Sequence, residues 1–499
     1  MRRSRAYRTI RIQTYFLRFS RQTDNQSLPT LDNPPSTIHN PQSMIDLKDL
    51  REHPEIYQRG AALKNVRVDV ARVLEKDAER VKAQQAFEKF RSEQNDASKE
   101  IGRLKDPAEK QAAIARVAQL KLNVKEAEER AKALDTELHA LLLTIPQPPD
   151  TDVPEGRDAA DNVVVSHWGT PRAFDFKPRT HLEIGQALDL FDFKAGVRLA
   201  GSRSYFLKGA GAELHQAVLR LALDLMVKEQ GFTPMAVPVL VREVAMLGTG
   251  FFPAGKEQTY HVGGPENFPK DAALGSPAHV DPDAPTESAE PTVYLTGTAE
   301  VGLTAYHFDE VLDEKDLPKK YTAISTCFRR EAGTYGKDTA GLYRVHQFDK
   351  CEQVVICRND IEESKRWHMQ MLGYSEDLLK RLNLPHRVIQ CCTGDIGVKN
   401  AAMYDVETWM PSRFDGKNPV TGYGETHSAS RLYEFQARRL NLRYKDREGK
   451  LRFCHTLNNT VVASPRILIP ILENYQNADG SVTVPEVLRP YLYGRERIG

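Results

Sequence analysis

The feature of this sequence that most constrains its fold is a run of apolar residues spaced alternately three and four positions apart. Its members are Val117, Leu120, Val124, Ala127, Ala131, Leu134, Leu138 and Leu141. Such a repeat predicts a long helix that packs along a partner helix. A less regular apolar stripe precedes it, through Leu74, Ala78, Val81, Phe87, Phe90, Ala97, Ile101 and Leu104. The turn at residues 105–107 separates the two segments, so we predict an antiparallel coiled-coil arm over 71–143, about 50 Å long at ~1.5 Å per residue.

The outer face of this predicted arm carries charges of both signs, as in a solvated coiled coil. The charged residues are Arg80, Lys82, Lys89 and Arg91 beside Glu75, Asp77, Glu79 and Glu88. A dimerisation or spacer element has the same appearance as an arm that binds a partner. The residues alone therefore leave the role of the arm open.

The whole chain has 499 residues, which is too long for a single core and predicts two or three domains. Its 69 Lys and Arg residues nearly cancel its 68 Asp and Glu residues, so net charge does not favour nucleic acid. The six cysteines form no CxxC pair and have no matching His spacing, which argues against disulfides and zinc. We expect reduced thiols in the core. No apolar run approaches the ~18–20 residues of a membrane span, so we expect no membrane partner.

The first 43 residues differ in composition from the rest of the chain. Seven arginines lie between Arg2 and Arg21, interleaved with aromatic and aliphatic residues, and the first acidic residue is Asp24. An arginine-rich, acid-poor start is typical of a mitochondrial transit peptide. We expect residues 1–43 to be a transit peptide and disordered leader, and the protein to be in the mitochondrial matrix. The alternatives are a basic arm that binds RNA without specificity and a cytoplasmic location.

A proline-rich linker, Thr144–Pro154, follows the predicted arm and separates an N-terminal domain, 44–150, from a larger domain, 151–499. Residues 262–292 are rich in Pro, Gly, Ala and Asp and have little periodicity. We interpret this segment as a disordered surface insertion in the larger domain.

Within the larger domain, one predicted helix is followed by a predicted strand. The apolar stripe of residues 214–225 predicts a helix that stops at Gly231. Residues 232–241 predict a strand, which the prolines at 234 and 238 restrict to the edge of a sheet or to an interface.

Two predicted strands further along, Tyr321–Phe328 and Phe348–Arg358, form an antiparallel hairpin. Period-2 alternation places Phe348 and Glu352 on one face of the second strand, roughly 13 Å apart. Arg329 directly follows the first strand. A ring, a guanidinium and a carboxylate so placed suit a ligand with a stackable base, a central anion and a polar head, as in an aminoacyl-adenylate. The alternative is a structural Arg–Glu pair within a sheet.

Two later segments favour a nucleotide site. Glu425 and Ser428 supply oxygen ligands of the kind that bind Mg²⁺ on a nucleotide. Ser464 is expected to cap an apolar helix that starts at the following proline and carries Arg466 in its first turn. Such an arginine requires an anion or a π-face. Pro470 is expected to kink the helix, because it removes a hydrogen bond.

Several motifs together resemble a known family. FRREAGTYG…RVHQFDKCE is similar to motif 2 of the class II aminoacyl-tRNA synthetases, and NNTVVASPRILIPILENYQ is similar to motif 3. With LTGTAEV, ETHSAS…FQARR and VPEVLRPYL, they resemble the seryl-tRNA synthetases of the bacterial and organellar type. The resemblance extends from about residue 44 to residue 499 and leaves out only the leader and the 262–292 insertion.

The resemblance implies an α+β fold, in which a catalytic domain on a six-stranded antiparallel sheet flanked by helices follows a tRNA-binding domain with a coiled-coil arm. It implies activation of L-serine with ATP and Mg²⁺ to seryl-adenylate, followed by transfer to the 3′-terminal adenosine of tRNA-Ser. The arm would contact the long variable arm of that tRNA. A homodimer would form near the strand that contains Pro238.

The resemblance also implies site residues. Those expected to bind ATP are Arg329, Arg330, Glu331, Arg344, Phe348, Glu425, Thr426, His427, Ser428 and Arg466. Those expected to bind serine are Thr298, Ala299, Glu300, Arg329, Glu352, Asn458 and Thr460. Catalytic roles are expected for Arg329, Glu352 and Arg466, and Mg²⁺ bound with ATP would contact Glu425 and Ser428.

Some residues depart from the family pattern, in which Pro, Asn and three Gly are usual. The departures are Gly297, Arg431, Asn459, Val461 and Pro465.

One alternative function is a catalytically inactive paralogue that binds tRNA or serves as a scaffold. Such a paralogue would be expected to lack one of the main charged residues, and all of them are present. Another is a class II enzyme for a different small amino acid. A threonine enzyme would normally carry a Cys/His zinc site, which the sequence does not show.

Overall fold

The computed structural model describes residues 45–263, 292–333 and 341–499. The predicted leader and nearly all of the predicted 262–292 insertion lie outside these residues. The α-helices described are α1 Leu47–Glu52, α2 Pro54–Leu63, α3 Val70–Ile101, α4 Pro107–Leu142, α5 His181–Ala187, α6 Phe193–Ala200, α7 Gly209–Asp224, α8 Glu243–Gly248, α9 Glu300–Ala305, α10 Ile361–Arg381, α11 Phe435–Arg439 and α12 Leu468–Asn474. Not one of the helices in the described ranges combines the length and apolar character that crossing a membrane requires.

The described residues form one large sheet and several small ones. They are β1 Val163–Trp168, β2 Phe191–Asp192, β3 Phe206–Leu207, β4 Thr233–Pro234, β5 Leu240–Arg242, β6 His261–Val262, β7 Val293–Leu295, β8 Val311–Asp313, β9 Lys319–Phe328, β10 Gln347–Cys357, β11 His386–Gln390, β12 Ala402–Trp409, β13 Tyr423–Tyr433, β14 Arg443–Lys445, β15 Leu451–Phe453, β16 His455–Ser464, β17 Val482–Thr483 and β18 Arg497–Ile498. Eight of them form a sheet in the order β1-β11-β12-β13-β16-β10-β9-β4. All neighbours in it are antiparallel except β4 and β9. The α+β class is confirmed, and the sheet has two more strands than expected.

Helices α3 and α4 form the predicted arm. Asp69 caps α3 and Asp106 caps α4 through side-chain bonds to main-chain N–H groups. None of the predicted apolar positions of α4 is exposed. Ala131 and Leu134 pack with Ala83 of α3. The antiparallel coiled-coil arm is thus confirmed, and the 32 residues of α3 span about 48 Å.

The face that α3 buries at its base differs from the prediction. Asp77, expected on the outer face, is buried, and its carboxylate contacts Arg51 at 2.6 Å and Arg80 at 3.3 Å. Ala78, expected in the apolar stripe, is exposed. The reason is that α1 and α2 share one core with the base of the arm. The helix therefore buries a wider face there than a two-helix seam requires.

Helix α7 packs against the large sheet, and the apolar stripe predicted for residues 214–225 is buried in that core. The helix continues as a π-helical turn over Leu225–Glu229. The chain then reverses at Gly231, whose φ of 67° favours glycine, so the predicted stop is confirmed. The prediction of a single strand over 232–241 is wrong. The segment contains two short strands, β4 and β5, which lie in different sheets. The prolines at 234 and 238 cannot donate hydrogen bonds to a continuous ladder.

The segment after β16 also differs from the prediction. Ser464 is the last residue of β16, and its hydroxyl contacts the ring of His215 at 2.8 Å instead of capping a helix. Helix α12 begins only at Leu468, after a turn that contains Pro465. Pro470 is therefore the third residue of α12 and lies within its first turn, where an N–H has no partner inside the helix. The predicted loss of a hydrogen bond and the kink do not occur.

The six cysteines are free and buried, as the sequence predicted. Burial raises the pKa of Cys351 and of Cys357 to about 12, so these thiols are protonated at neutral pH. In the three described ranges, no group of three or more His, Cys, Asp or Glu residues is placed to hold a metal ion.

Candidate active site

A cavity of about 230 Å³ lies beside β10, β13 and β16 and brings together segments that are far apart in the sequence. Its walls consist largely of charged and aromatic residues. They are Arg329, Glu331, Leu342, Tyr343, Arg344, Val345, Phe348, Lys350, Glu425, Thr426, His427, Ser428, Thr460, Ala463, Pro465 and Arg466. The predicted hairpin, β9 with β10, and the turn after β16 therefore meet at one site.

Arg329 lies at the rim of this cavity, directly after β9. Its guanidinium carbon is 5.3 Å from the centroid of the Phe348 ring. Gly297 packs beneath it, since a Cβ at that position would lie 3.4 Å from Arg329 Cγ and 3.3 Å from the Phe328 carbonyl oxygen. Glycine at 297, one of the departures from the family pattern, thus allows Arg329 to lie close to the main chain.

A second cationic group lies near Glu331, which contacts Arg344 at 3.4 Å and Arg203 at 3.7 Å. The main chain of Glu331 is in the left-handed region, at φ 50°. Clustered guanidinium groups suit the oxygens of a phosphate. Arg330 does not join this group. It is exposed, and its side chain donates to the carbonyl oxygen of Glu257 at 3.2 Å.

Arg466 enters the cavity from the turn between β16 and α12. Its Nε donates to the Tyr343 carbonyl oxygen at 3.1 Å, and its Nη1 donates to the carbonyl oxygen and the carboxylate of Glu425 at 3.2 and 3.3 Å. The guanidinium carbon also lies 4.5 Å from the centroid of the Tyr343 ring. These contacts orient Arg466 on the cavity wall, where a guanidinium can stack on a ligand with a π-system.

Strand β13 contributes four consecutive predicted residues, but only part of them is accessible. The Glu425 side chain is about half exposed, and Ser428 is partly exposed. Thr426 and His427 are buried, with the Thr426 hydroxyl 2.8 Å from His427 Nδ1. Burial lowers the pKa of His427 to about 3, so its ring is neutral. Two oxygen-bearing side chains of β13 therefore face the cavity.

The inner end of the cavity lies over a buried ion pair. Glu352 is fully buried. One of its carboxylate oxygens accepts from Asn458 Nδ2 at 3.1 Å, and the other contacts the ammonium of Lys350. Lys350 and Thr460 line the cavity, whereas Glu352 and Asn458 lie behind them. A β-bulge at Val461, where β10 and β16 change register, places Thr460 opposite Glu352.

The predicted serine-binding segment 298–300 is buried and lies outside the cavity walls. The Thr298 hydroxyl oxygen accepts from the N–H of Glu300 at 3.2 Å. One oxygen of Glu300 contacts the ammonium of Lys399 and accepts from Gln436 Nε2 at 2.7 Å. Burial lowers the pKa of Lys399, which the neighbouring Glu300 carboxylate counteracts.

The chain is similar to known proteins over most of its length. The family model described as the seryl-tRNA synthetase N-terminal domain matches residues 44–149, and the model of the tRNA synthetase class II core domain (G, H, P, S and T) matches residues 286–475. Serine–tRNA ligase of Deinococcus radiodurans is 41% identical over 91% of this chain and 99% of its own length. That of Thermobifida fusca is 41% identical over 90% of this chain and 97% of its own.

The chain belongs to the seryl-tRNA synthetase family.

A solved structure agrees with this membership. The crystal structure of seryl-tRNA synthetase from Pyrococcus horikoshii complexed with ATP is 33% identical and has a TM-score of 0.77, covering 91% of this chain and 99% of that one. As a member of this family, the chain is a class II aminoacyl-tRNA synthetase, an ATP-binding ligase with serine and tRNA-Ser as substrates. The inactive paralogue considered from the sequence gains no support from these relatives.

Two departures from the seryl-tRNA synthetase pattern lie away from the cavity. The buried guanidinium of Arg431 contacts Asp150 at 2.6 Å and Asp152 at 3.0 Å, and thus anchors the linker on β13. Asn459 donates to the carbonyl oxygen of Met371 at 2.7 Å, which ties β16 to α10. Both positions serve the packing of the domain instead of lining the cavity.

Two functional residues were not predicted from the sequence. They are Tyr343, whose carbonyl oxygen and ring contact Arg466, and Lys399, which contacts Glu300. The sequence contains no pattern that marks either residue, because each is defined by a contact across more than 90 positions. The ion pair of Lys350 with Glu352 is a further contact that the sequence pattern did not predict.

Proposed function

We propose that this seryl-tRNA synthetase activates L-serine in the cavity described above and then transfers the seryl group to the 3′-terminal adenosine of tRNA-Ser. The observation that supports this most directly is the presence of three arginines on the walls of one cavity: Arg329 and Arg344 from the connection between β9 and β10, and Arg466 from the turn after β16. Since phosphate oxygens require such donors, the cavity suits a triphosphate bound next to an aromatic ring.

In this proposal ATP lies between Phe348, which stacks under adenine, and Arg466, which covers its other face. Arg329 contacts the α-phosphate and the carboxylate of serine, and Arg344 contacts the outer phosphates. Glu331 holds Arg344 in place through the contact already described. In this proposal Arg330, Thr426 and His427 contact ATP only through their main chain, since their side chains point away from the cavity or are buried.

Mg²⁺ fits the same site. The accessible oxygens of Glu425 and Ser428 line the cavity together with the arginines, and Mg²⁺ in nucleotide sites typically takes one or two protein oxygens and completes its shell with phosphate oxygens and water. Bound there, it would neutralise charge on the phosphates. The protein's part is to supply these two oxygens at the outer wall.

Serine would bind at the inner end. Its hydroxyl would meet Glu352 and Thr460, supported by Asn458, and its amino group would meet Thr298 and Glu300, next to Ala299. The attacking group is the serine carboxylate, which is already ionised. One of its oxygens forms a bond to the α-phosphorus while the bond to the bridging oxygen breaks and pyrophosphate leaves. No general base is needed, and positioning and charge stabilisation supply most of the acceleration.

The test is ATP–pyrophosphate exchange with each of the twenty amino acids, followed by charging of mitochondrial and cytosolic tRNA. We expect exchange with serine, none with alanine, and weak exchange with threonine, because a missing hydroxyl leaves Glu352 unmatched whereas an extra methyl group is excluded only by size. Exchange that prefers another amino acid would contradict the proposal.

We also propose that the arm binds the long variable arm of tRNA-Ser, where shape and backbone contacts dominate recognition. Val73 and Leu138 belong to the core of the N-terminal domain, so a useful truncation must keep the base of the arm. Replacing residues 86–128 by a short Gly/Ser turn should spare pyrophosphate exchange with serine and abolish charging of tRNA. Loss of exchange as well would show that the arm is structural.

Two further proposals concern assembly and location. The chain is proposed to form a homodimer near Pro238, which light scattering of the purified protein tests. It is also proposed to be imported into mitochondria through residues 1–43, because their arginine-rich, acid-poor composition suits a transit peptide. Import of a fluorescent protein fused to residues 1–43 tests this, and a cytoplasmic signal would contradict it.

A further inference from the structure

Lys64 connects the N-terminal domain to the catalytic domain. It follows α2, is only 6% exposed, and donates through Nζ to the carbonyl oxygens of Asn400, Gly397 and Val398 at 2.6, 2.9 and 3.4 Å. The three hydrogens of the ammonium thus meet three acceptors of one loop. Burial lowers the pKa of Lys64 to about 7, and the carbonyl oxygens are the contacts that favour its charged form.

The loop that Lys64 contacts, residues 397–401, is held by the linker as well. The Gln147 N–H donates to the Val398 carbonyl oxygen, and the Asp150 N–H donates to the Ala401 carbonyl oxygen, both at 2.8 Å. The loop is therefore fixed by main-chain and side-chain donors that come from residues outside the catalytic domain.

On its other side, the same loop reaches the predicted serine site. Lys399 contacts the carboxylate of Glu300 and lies 3.9 Å from the centroid of the Phe251 ring. Its side chain is 14% exposed. Lys399 thus neutralises the charge of Glu300, whose N–H contacts the Thr298 hydroxyl. A shift of the loop would withdraw Lys399 and leave a buried carboxylate without its cation, which is costly.

We propose that Lys64 is a positioning residue for the serine site: it fixes loop 397–401, and the loop in turn sets Lys399 against Glu300. Activation of serine then depends on the docked N-terminal domain even without tRNA and independently of the arm. This inference rests on the proposed binding of the serine amino group by Thr298 and Glu300. It differs from a purely stabilising contact, because it affects one substrate and not the other.

The first test is kinetic and uses the full chain. Lys64→Met keeps the apolar stem and removes the three hydrogen bonds. We expect it to raise KM for serine in pyrophosphate exchange by about tenfold, in line with loss of a charge-assisted contact, and to leave KM for ATP within about twofold. Lys48→Met is the matched control, since Lys48 lies on α1 of the same domain with an 81% exposed side chain, and it should change neither constant.

The second test asks whether Lys64 acts through Lys399. If it does, the double variant Lys64→Met/Lys399→Met should raise KM for serine no more than the larger single effect. Multiplied effects would overturn the proposed route. The same holds if Lys64→Met raises KM for serine and ATP equally, or lowers the melting temperature without changing either KM.

The third test does not need activity. Hydrogen exchange of peptides that cover residues 397–401 should be faster in Lys64→Met than in the unsubstituted chain and unchanged in Lys48→Met. Unchanged exchange in Lys64→Met would overturn the proposal. If the unsubstituted chain showed no serine-dependent ATP–pyrophosphate exchange, the proposed function would fail. The hydrogen-exchange measurement would still decide whether Lys64 holds the loop.

Discussion

A Glu352→Gln substitution removes the charge of Glu352 while keeping its length and its bond from Asn458. In the structure, one carboxylate oxygen accepts from Asn458 Nδ2 at 3.1 Å and the other contacts the Lys350 ammonium. Glutamine can keep the first contact through its carbonyl oxygen. Its NH₂ group then faces Lys350, so the ammonium loses its counter-ion within a fully buried environment.

Two effects of different size are expected. Breaking a buried ion pair by removing one partner costs ~3–5 kcal/mol of the free energy of unfolding. Loss of a charged acceptor for the serine hydroxyl costs ~1.5–3 kcal/mol of transition-state stabilisation, which lowers kcat/KM for serine about 10- to 150-fold. KM for ATP should stay within about threefold, because the proposed ATP contacts come from other residues.

The assays are pyrophosphate exchange, with serine and ATP varied separately, and urea unfolding. The double variant Glu352→Gln/Lys350→Met separates the two effects. The double variant has no unpaired ammonium, so it should regain most of the free energy of unfolding. Its kcat/KM for serine should remain low. Equal losses for serine and ATP in the single variant, or recovery of serine use in the double variant, would refute the assignment of Glu352 to the serine hydroxyl.

Three other outcomes are expected. Arg466→Met should raise KM for ATP ~10- to 100-fold and KM for serine much less, since it removes a π-stacking cation. An equal rise of both KM values in pyrophosphate exchange would argue against this. Asp77→Asn removes the buried charge that pairs with Arg51 and Arg80, so thermal unfolding should show ~1–3 kcal/mol lower stability with serine-dependent pyrophosphate exchange retained; an unchanged melting temperature would contradict the role of Asp77. Burial lowers the pKa of His368 to about 4, so the unfolded chain binds a proton below pH ~6.5 that the folded chain rejects. Stability is then complete above pH ~6.5 and lower by about 2 kcal/mol at pH 5. His368→Gln should reduce this fall in urea unfolding, and an equal fall would exclude His368 as its source.

The parts of the fold that the sequence predicted are those that local periodicity determines. The α4 seam from Val117 to Leu141 and the hairpin of β9 and β10 depend on apolar spacing and on neighbouring segments. Asp77 and Ala78 were misplaced because the base of the arm packs against α1 and α2, which no repeat within the arm indicates. Ser464 and the following proline have the composition of a helix start, yet β16 extends through Ser464 because its ladder with β10 continues to Asp349.

The same distinction applies to the site. Motif-like segments supplied Arg329, Phe348 and Arg466, and these residues line the cavity together. The contact of Lys64 with Asn400 joins positions 336 residues apart, and that of Lys399 with Glu300 joins positions 99 residues apart. A single sequence holds no periodic signal for such pairs, so only the folded structure brings them to light.

The paired lysines explain how the proposed serine site can hold two buried carboxylates. Glu352 contacts Lys350, and Glu300 contacts Lys399, so neither carboxylate is a bare buried charge. Serine carries one ammonium and one carboxylate and adds no net charge. In the proposed binding mode its carboxylate meets Arg329, while its ammonium and hydroxyl meet oxygens whose charge is already balanced. Binding then exchanges water for matched contacts and does not add an uncompensated charge.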